Sequence, residues 1–184
     1  LEKITCSMSL KPVFTVLLIG ISTAVSAQLI VINGEQTNRP LTWDDFRAEP
    51  DPSSSHFAYT YWNILYKYDA FDFNRDTAKW QVTISVELGN NSWKRKDKVT
   101  DTLLRHEQGH FNIGILCAME TQEKVNHTAF FRYDYQSRLM AIIREKIEKY
   151  RKIEEQYDRE TKHYSNREQQ WKWDHFFASK LKDR

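Results

Sequence analysis

Two histidines four positions apart have the clearest chemistry in this sequence, in the stretch RHEQGH at positions 105–110. Side chains four apart lie on one face of an α-helix, with their Cβ atoms about 5 to 6 Å apart. His106 and His110 could therefore bind one zinc ion, and Glu107 could take a proton from an attacking water. The alternative is a pair of buried histidines that make hydrogen bonds and bind no metal.

The flanking residues predict the helix that this motif requires. Asp97 or Thr100 can cap a helix that runs to about Asn126. Apolar residues recur at spacings of three and four in line with both histidines: Val99, Leu103 and Ile113. A glycine inside a helix costs about 1 kcal/mol relative to alanine. Gly109 therefore predicts a place where another backbone approaches the helix closely.

A catalytic zinc has three protein ligands and one open position, so a third ligand is needed. A second amphipathic helix is predicted from about Asp134 to Gln156, with an apolar face: Leu139, Ile143, Ile147 and Tyr150. If this helix returns antiparallel to the first, its end passes the two histidines, because both rise about 1.5 Å per residue. We predict His163, just beyond that end, as the third ligand. The alternatives are Glu154, Asp158 and Glu160.

The residues around His163 predict supporting roles. If His163 is the third ligand, Asp158 is the best candidate for a carboxylate that orients a ligating histidine. Tyr157 or Tyr164 could donate a hydrogen bond to a developing oxyanion, and packing is the alternative for each tyrosine. The remaining histidines have no partner at ligand spacing and are predicted to be surface or packing residues: His56, His127 and His175.

The first half of the chain predicts β-strands. Residues 80–88 alternate between apolar and polar side chains, and residues 57–68 alternate with one change of phase, which indicates a strand with a bulge or bend. Residues 69–77 are rich in turn formers, so the two strands are predicted to form an antiparallel hairpin with a long loop. A last helix is predicted over 166–180, packed back on the domain. The fold class is therefore α+β.

The N-terminal residues predict export. Lys11 precedes an apolar run from Val13 to Val25, and small residues follow up to Ala27, which is the pattern of a signal peptide cleaved after Ala27. Met8 is the predicted start. The apolar core is shorter than the roughly 20 residues of a spanning helix, and an uncleaved anchor is the alternative. Residues 28–184 are predicted to form one exported domain, periplasmic or extracellular, with no membrane span.

Charge and cysteine content narrow the function classes. The chain has 27 basic and 25 acidic residues, so no concentrated basic face is expected and nucleic-acid binding is not predicted. Cys6 leaves with the signal peptide, so the mature chain cannot form an intramolecular disulfide. Cys117 is predicted to be a small buried hydrophobic residue.

Three blocks in this order resemble a family of exported bacterial proteins described as predicted secreted zinc-dependent proteases: LTWDDF at 41–46, LRHEQGHFNI at 104–113 and YDRETKH at 157–163 followed by QW at 170–171. The first block also predicts a short turn capped by Thr42. The resemblance implies a zincin-like domain with the histidines of HExxH as ligands and Glu107 as catalytic acid and base, and it favours His163. Where a small residue, usually glycine, is expected after that histidine, this chain has Tyr164.

Together these observations predict an α+β, zincin-like zinc metallopeptidase. Its substrates would be proteins or peptides, including peptidoglycan stem peptides. An edge strand of the hairpin could hold an extended peptide by main-chain pairing. The rival class is a non-enzymatic exported binding module, whose histidines hold a structural metal or none.

Overall fold

One long helix packs on a small β-sheet, and two further helices pack on that helix, in a computed structural model that describes residues 29–182. The predicted signal peptide and its cleavage site lie outside the described residues. The strands are β1 (Leu29–Ile32), β2 (Glu35–Gln36), β3 (Ala58–Tyr59), β4 (Trp62–Asn74), β5 (Thr77–Leu88) and β6 (Trp93–Lys94). The helices are α1 (Asp101–Asn126), α2 (Tyr135–Thr161) and α3 (Arg167–Lys180). The predicted α+β class is confirmed.

The main sheet has the strand order β2-β1-β5-β4. β4 and β5 form the predicted antiparallel hairpin, whereas β1 pairs parallel with the second half of β5. Strands β3 and β6 form a separate two-stranded sheet. The run predicted as one strand over 57–68 is therefore divided, because the chain leaves β6 at Thr60 and joins β5 at Trp62.

The prediction of a long hairpin loop over 69–77 is wrong. The ladder between β4 and β5 continues to Asn74 and Thr77, and only Arg75 and Asp76 form the turn. The turn-forming residues that suggested the loop lie mostly within this ladder, which continues past a register shift between Tyr68 and Ala70. A bulge changes which residues face each side of the sheet, so the strict alternation expected of a strand breaks at Asp69 and resumes beyond it.

The helices follow their predicted starts closely. The hydroxyl of Thr100 accepts a hydrogen bond from the Leu103 N–H at 3.1 Å, so α1 begins as predicted. Helix α2 begins after Asp134 but ends at Thr161, five residues later than predicted. Asn166 caps α3 through the Gln169 N–H. No helix in the range 29–182 is both long enough and apolar enough to cross a membrane.

The core lies between α1 and the sheet, mainly at β5. Its fully buried side chains come from the sheet and all three helices, and Cys117 in α1 has no exposed surface, which confirms its predicted burial. The short turn at Trp43–Asp45 is joined to α1 because the Gln108 side chain accepts a hydrogen bond from the Leu41 N–H at 2.7 Å. This contact holds the start of the domain against the HExxH segment.

Candidate metal centre

His106 and His110 turn the same imidazole nitrogen toward one point. Their Nε2 atoms lie 3.3 Å apart and their ring planes are nearly perpendicular. Two donor atoms at the bond length of about 2.0 to 2.1 Å found for zinc lie about 3.3 Å apart when the coordination is tetrahedral. His106 is only 2% exposed, and His110 is partly exposed. The spacing of these two nitrogens therefore fits one edge of a zinc coordination shell.

Asp158 brings a third donor to the same point. Its Oδ1 lies 3.1 Å from the Nε2 of His106 and 3.1 Å from the Nε2 of His110. The three donor atoms all lie within 4.8 Å of one another, and they form the group of histidine, cysteine and acidic residues within 29–182 that could hold a metal. Two imidazole nitrogens and one carboxylate oxygen are a donor set that zinc accepts.

The residues of α2 that face the two histidines differ from those expected from the sequence. Simple counting from the helix ends places residues 150 and 154 level with the two histidines, whereas His106 actually faces Tyr157 and Asp158. The connecting segment extends over the hairpin tip, where the Arg132 N–H donates to the Asp76 carbonyl. Helix α2 consequently begins beyond the end of α1, which shifts the facing residues by about one turn.

His163 lies beside this group and not within it. Its side chain is exposed, and its Nδ1 lies 3.3 Å from the Oδ1 of Asp158. Its ring meets the ring of His56 edge to face at a centroid distance of 5.0 Å. The Asp158 carboxylate, and not the His163 ring, contacts the Nε2 atoms of both motif histidines. The role of His163 as a ligand stays a prediction.

The chain after α2 has an unusual backbone. Lys162, His163 and Tyr164 all have positive φ angles, of 49°, 49° and 75°. Glycine adopts this region at no steric cost, which explains why a small residue is expected after His163. Strained backbone of this kind is concentrated at functional sites. Tyr164 lines the cleft above the site, and its ring centroid lies 6.3 Å from that of His106.

Glu107 is buried and oriented by one hydroxyl. Its exposed fraction is 4%, and its Oε2 accepts a hydrogen bond from the Thr60 Oγ1 at 2.7 Å. The same hydroxyl lies 3.2 Å from the Glu107 carbonyl oxygen. Thr60 belongs to the crossing between β3 and β4, so the sheet fixes the carboxylate relative to α1. Both residues line the cleft that contains the two histidines.

A second carboxylate supports His110. The Oε1 of Glu154 lies 3.4 Å from the His110 Nδ1 and accepts a hydrogen bond from the Trp62 indole at 2.8 Å. Burial lowers the pKa of His110, but the carboxylates of Asp158 and Glu154 outweigh it and raise that pKa to about 10. Burial also raises the pKa of Asp158, but hydrogen bonds from both imidazoles hold it well below its usual range. Glu154, which the sequence offered as an alternative ligand, thus contacts the Nδ1 of His110 and not the Nε2 that faces Asp158.

Tyr157 has a packing role. Its side chain has no exposed surface, and its ring stacks on His106 with a centroid distance of 4.7 Å and an angle of 13°. Its hydroxyl donates a hydrogen bond to the His106 carbonyl oxygen at 3.0 Å. A hydroxyl held there faces the interior, so Tyr157 is not suited to the oxyanion role considered from the sequence. The other alternative ligand, Glu160, instead accepts from the Trp173 indole at 2.8 Å.

Gln170 stands in the third block of the family resemblance, but the sequence assigns it no role at the site. This residue of α3 is 4% exposed, and its Oε1 lies 3.2 Å from the His106 Nδ1. The helix was predicted, but its pattern of large aromatic residues indicated packing alone. Nothing in the spacing of Gln170 relative to the motif marks it, because 64 residues separate it from His106.

The three donors lie at the floor of a cleft of about 690 Å³. One wall is the segment 55–63 and the other is the face of α2 that carries Arg151 and Glu155. The Phe57 carbonyl accepts from the Arg95 N–H, and the Tyr61 carbonyl accepts from the Gly89 N–H. Backbone groups alternate in direction along an antiparallel strand. Those of Ala58 in β3 therefore point away from β6.

The profile of a family described as bacterial protein of unknown function (DUF922) matches residues 39–164, more than half of the chain. The chain belongs to this family. The matched range contains both motif histidines, Glu107, Asp158 and His163, and it ends before α3. No curated protein and no solved structure matches the chain significantly. The family description assigns no activity.

Proposed function

We propose that this member of the DUF922 family is a zinc-dependent peptidase that holds zinc through His106, His110 and Asp158. The observation that carries the proposal is the convergence of these donors, at 3.1 to 3.3 Å from one another, beside a buried glutamate that follows the first histidine. Bound zinc would polarise the scissile carbonyl and acidify the attacking water. We propose both that the metal is zinc and that the domain is zincin-like.

Glu107 is the general base in this proposal. Its carboxylate lines the same cleft as both histidines, and the Thr60 hydroxyl occupies one of its oxygens. The other oxygen is free to take a proton from the water that attacks the substrate and to return it to the leaving amine. His163 lines the same cleft and contacts Asp158, and it is the alternative third ligand.

The cleft is best suited to an extended peptide. The backbone groups of Ala58 that point away from β6 offer an edge on which an extended chain could add as a further strand. Such main-chain pairing accepts many side chains, which suits proteins and peptidoglycan stem peptides alike. The signal-like N-terminus supports an exported protein that meets these substrates in the periplasm or outside the cell.

The Glu107→Gln variant tests the catalytic proposal. Hydrolysis of a fluorescent casein and of isolated peptidoglycan should fall by about 10² to 10⁴, the usual contribution of a general base, while the zinc content stays unchanged. Glu148→Gln, which changes an exposed glutamate of α2 that does not line the cleft, should leave both quantities unchanged. Equal hydrolysis by wild type and Glu107→Gln would contradict the role of Glu107.

One observation favours a second candidate, the non-enzymatic binding module. The Asp158 carboxylate lies 3.1 Å from the Nε2 of each histidine and raises the pKa of His110, so these three side chains can pair with one another without a metal. In that case the purified protein would contain no zinc, even after zinc is supplied. A protein that contains zinc and cleaves neither substrate would indicate a structural metal.

A further inference from the structure

We propose that Gln170 and Asp174 of α3 are positioning residues that hold a proton on the Nδ1 of His106 and so leave its Nε2 free to bind metal. This inference rests on the proposed metal site. It gives α3, which lies outside the residues matched by the family profile, a part in the metal centre.

The Nδ1 of His106 has two oxygen neighbours. The Nδ1 of this buried imidazole lies 3.2 Å from the Oε1 of Gln170 and 3.5 Å from the Thr161 hydroxyl. The Thr161 hydroxyl donates its proton to the Tyr157 carbonyl at 2.7 Å, so it presents only lone pairs to the ring. Both neighbours of Nδ1 are therefore acceptors, provided that the oxygen of the Gln170 amide faces the ring.

Asp174 decides that orientation of the amide. The Nε2 of Gln170 donates to the Asp174 Oδ1 at 3.0 Å and to the Tyr157 hydroxyl at 2.8 Å. An ionised carboxylate only accepts hydrogen bonds, so the NH₂ group of Gln170 must face Asp174. The amide oxygen then faces His106, where only a protonated Nδ1 can make the hydrogen bond.

Arg105 completes the chain of contacts. Its Nε lies 2.5 Å from the Asp174 Oδ2, although its side chain is largely exposed. Because Arg105 directly precedes His106, one turn of α1 fixes both ends of the network. Metal-bound histidines usually donate their second ring N–H to a carboxylate or carbonyl oxygen. Here a glutamine amide supplies that oxygen, and a carboxylate one step further away fixes the amide.

Zinc affinity tests the inference in the full-length chain. Competition with a chelator should show zinc binding that is 10- to 100-fold weaker in Gln170→Ala, the loss typical of removing such a partner. Asp174→Asn should weaken binding as well, because the new amide can donate and no longer fixes the orientation of Gln170. Gln169→Ala, one position away and half-buried, should bind zinc as wild type does. Unchanged affinity in a folded Gln170→Ala would overturn the inference.

A second measurement needs no variant and no activity. A ¹⁵N NMR spectrum of the histidine side chains should show a proton on the His106 Nδ1, both before and after zinc is added. An Nδ1 without a proton would overturn the inference even if zinc binds. A wild type that binds no zinc but shows this proton would overturn the proposed function while the contact between Gln170 and His106 stands, so the two failures are distinguishable.

Discussion

The hydroxyl oxygen of Tyr157 lies 2.1 Å from the place where residue 109 would carry a Cβ. Gly109 therefore leaves the space in which the tyrosine hydroxyl reaches the His106 carbonyl. The close approach predicted at this glycine is real, but the approaching group is a side chain of α2 and not a backbone. Inside the HExxH segment, the glycine thus allows α2, which carries Asp158, to pack against α1.

Gly109→Ala should therefore disturb both the packing and the site. Tyr157 is fully buried and has no room to withdraw, so α2 must shift, and overpacking of this kind costs about 1 to 3 kcal/mol. Urea unfolding should show that loss, together with weaker zinc binding. Glu123→Ala, at an exposed position of the same helix, is the control. Wild-type stability in Gly109→Ala would show that the helices do not meet there.

Thr60→Val should reduce hydrolysis without releasing zinc. The substitution keeps the shape of the side chain but removes the hydroxyl that donates to Glu107. A buried carboxylate that loses one hydrogen bond is destabilised by about 1 to 3 kcal/mol, so kcat/KM should fall by about 5- to 150-fold. The measurement is kcat/KM on the fluorescent casein beside the zinc content. A variant as active as wild type would mean that Thr60 does not orient the base.

Much of the site can be predicted from spacing alone, whereas the third donor to the metal depends on tertiary structure. Local periodicity identified α1 and the relation between His106 and His110. The choice between Asp158 and His163 required the level of α2, which is set by contacts of the connecting segment with the hairpin tip. The contact of Gln170 with His106 could not be predicted, since no local pattern links it to a histidine 64 residues away.

The sheet shows the same division between local and long-range information. Alternation predicted the pairing of β4 with β5, but the turn-forming residues of 69–77 suggested a loop where the ladder continues past a bulge at Asp69. The parallel pairing of β1 with β5 joins residues more than fifty positions apart. Its four residues, Leu29–Ile32, form an apolar run without alternation, which periodicity alone does not assign to a strand or a helix.

Protonation of Asp45 in acid should make the protein less stable. Burial raises the pKa of Asp45, but the Arg39 guanidinium and the Thr42 N–H and hydroxyl outweigh it, so the pKa lies below its ordinary value. A lowered pKa adds stability above the unfolded-state pKa of about 4, and this stability is lost as the pH falls through the folded-state pKa. Unfolding free energies at about pH 6 and pH 3 should differ more in wild type than in Asp45→Asn.

The control for this prediction is Asp44→Asn, because Asp44 is the exposed neighbour in the same turn. It should show the same change of stability between the two pH values as wild type. Asp45→Asn should also lose about 1.5 to 3 kcal/mol at neutral pH, the usual contribution of a hydrogen bond to a charged group. An unaltered pH dependence in Asp45→Asn would contradict the proposed role of the ion pair with Arg39.

The Cys117 thiol should be inert in the folded protein. Burial raises the pKa of this thiol to about 12, and the thiolate is the reactive form. At about pH 8 a coloured thiol reagent should therefore react with Cys117 only after denaturant is added. Rapid labelling of the native protein would show that α1 opens far more readily than its packing suggests.

The zinc content of the purified protein, measured by elemental mass spectrometry, tests the central claim most directly. Wild type, Asp158→Asn and His163→Ala should be prepared identically with the predicted signal peptide removed. We predict one zinc per wild-type chain, a sharp loss in Asp158→Asn and a smaller loss in His163→Ala. A loss confined to His163→Ala would make His163 the third ligand. Folded wild-type protein that contains no zinc, even after supplementation, would contradict the metal site itself.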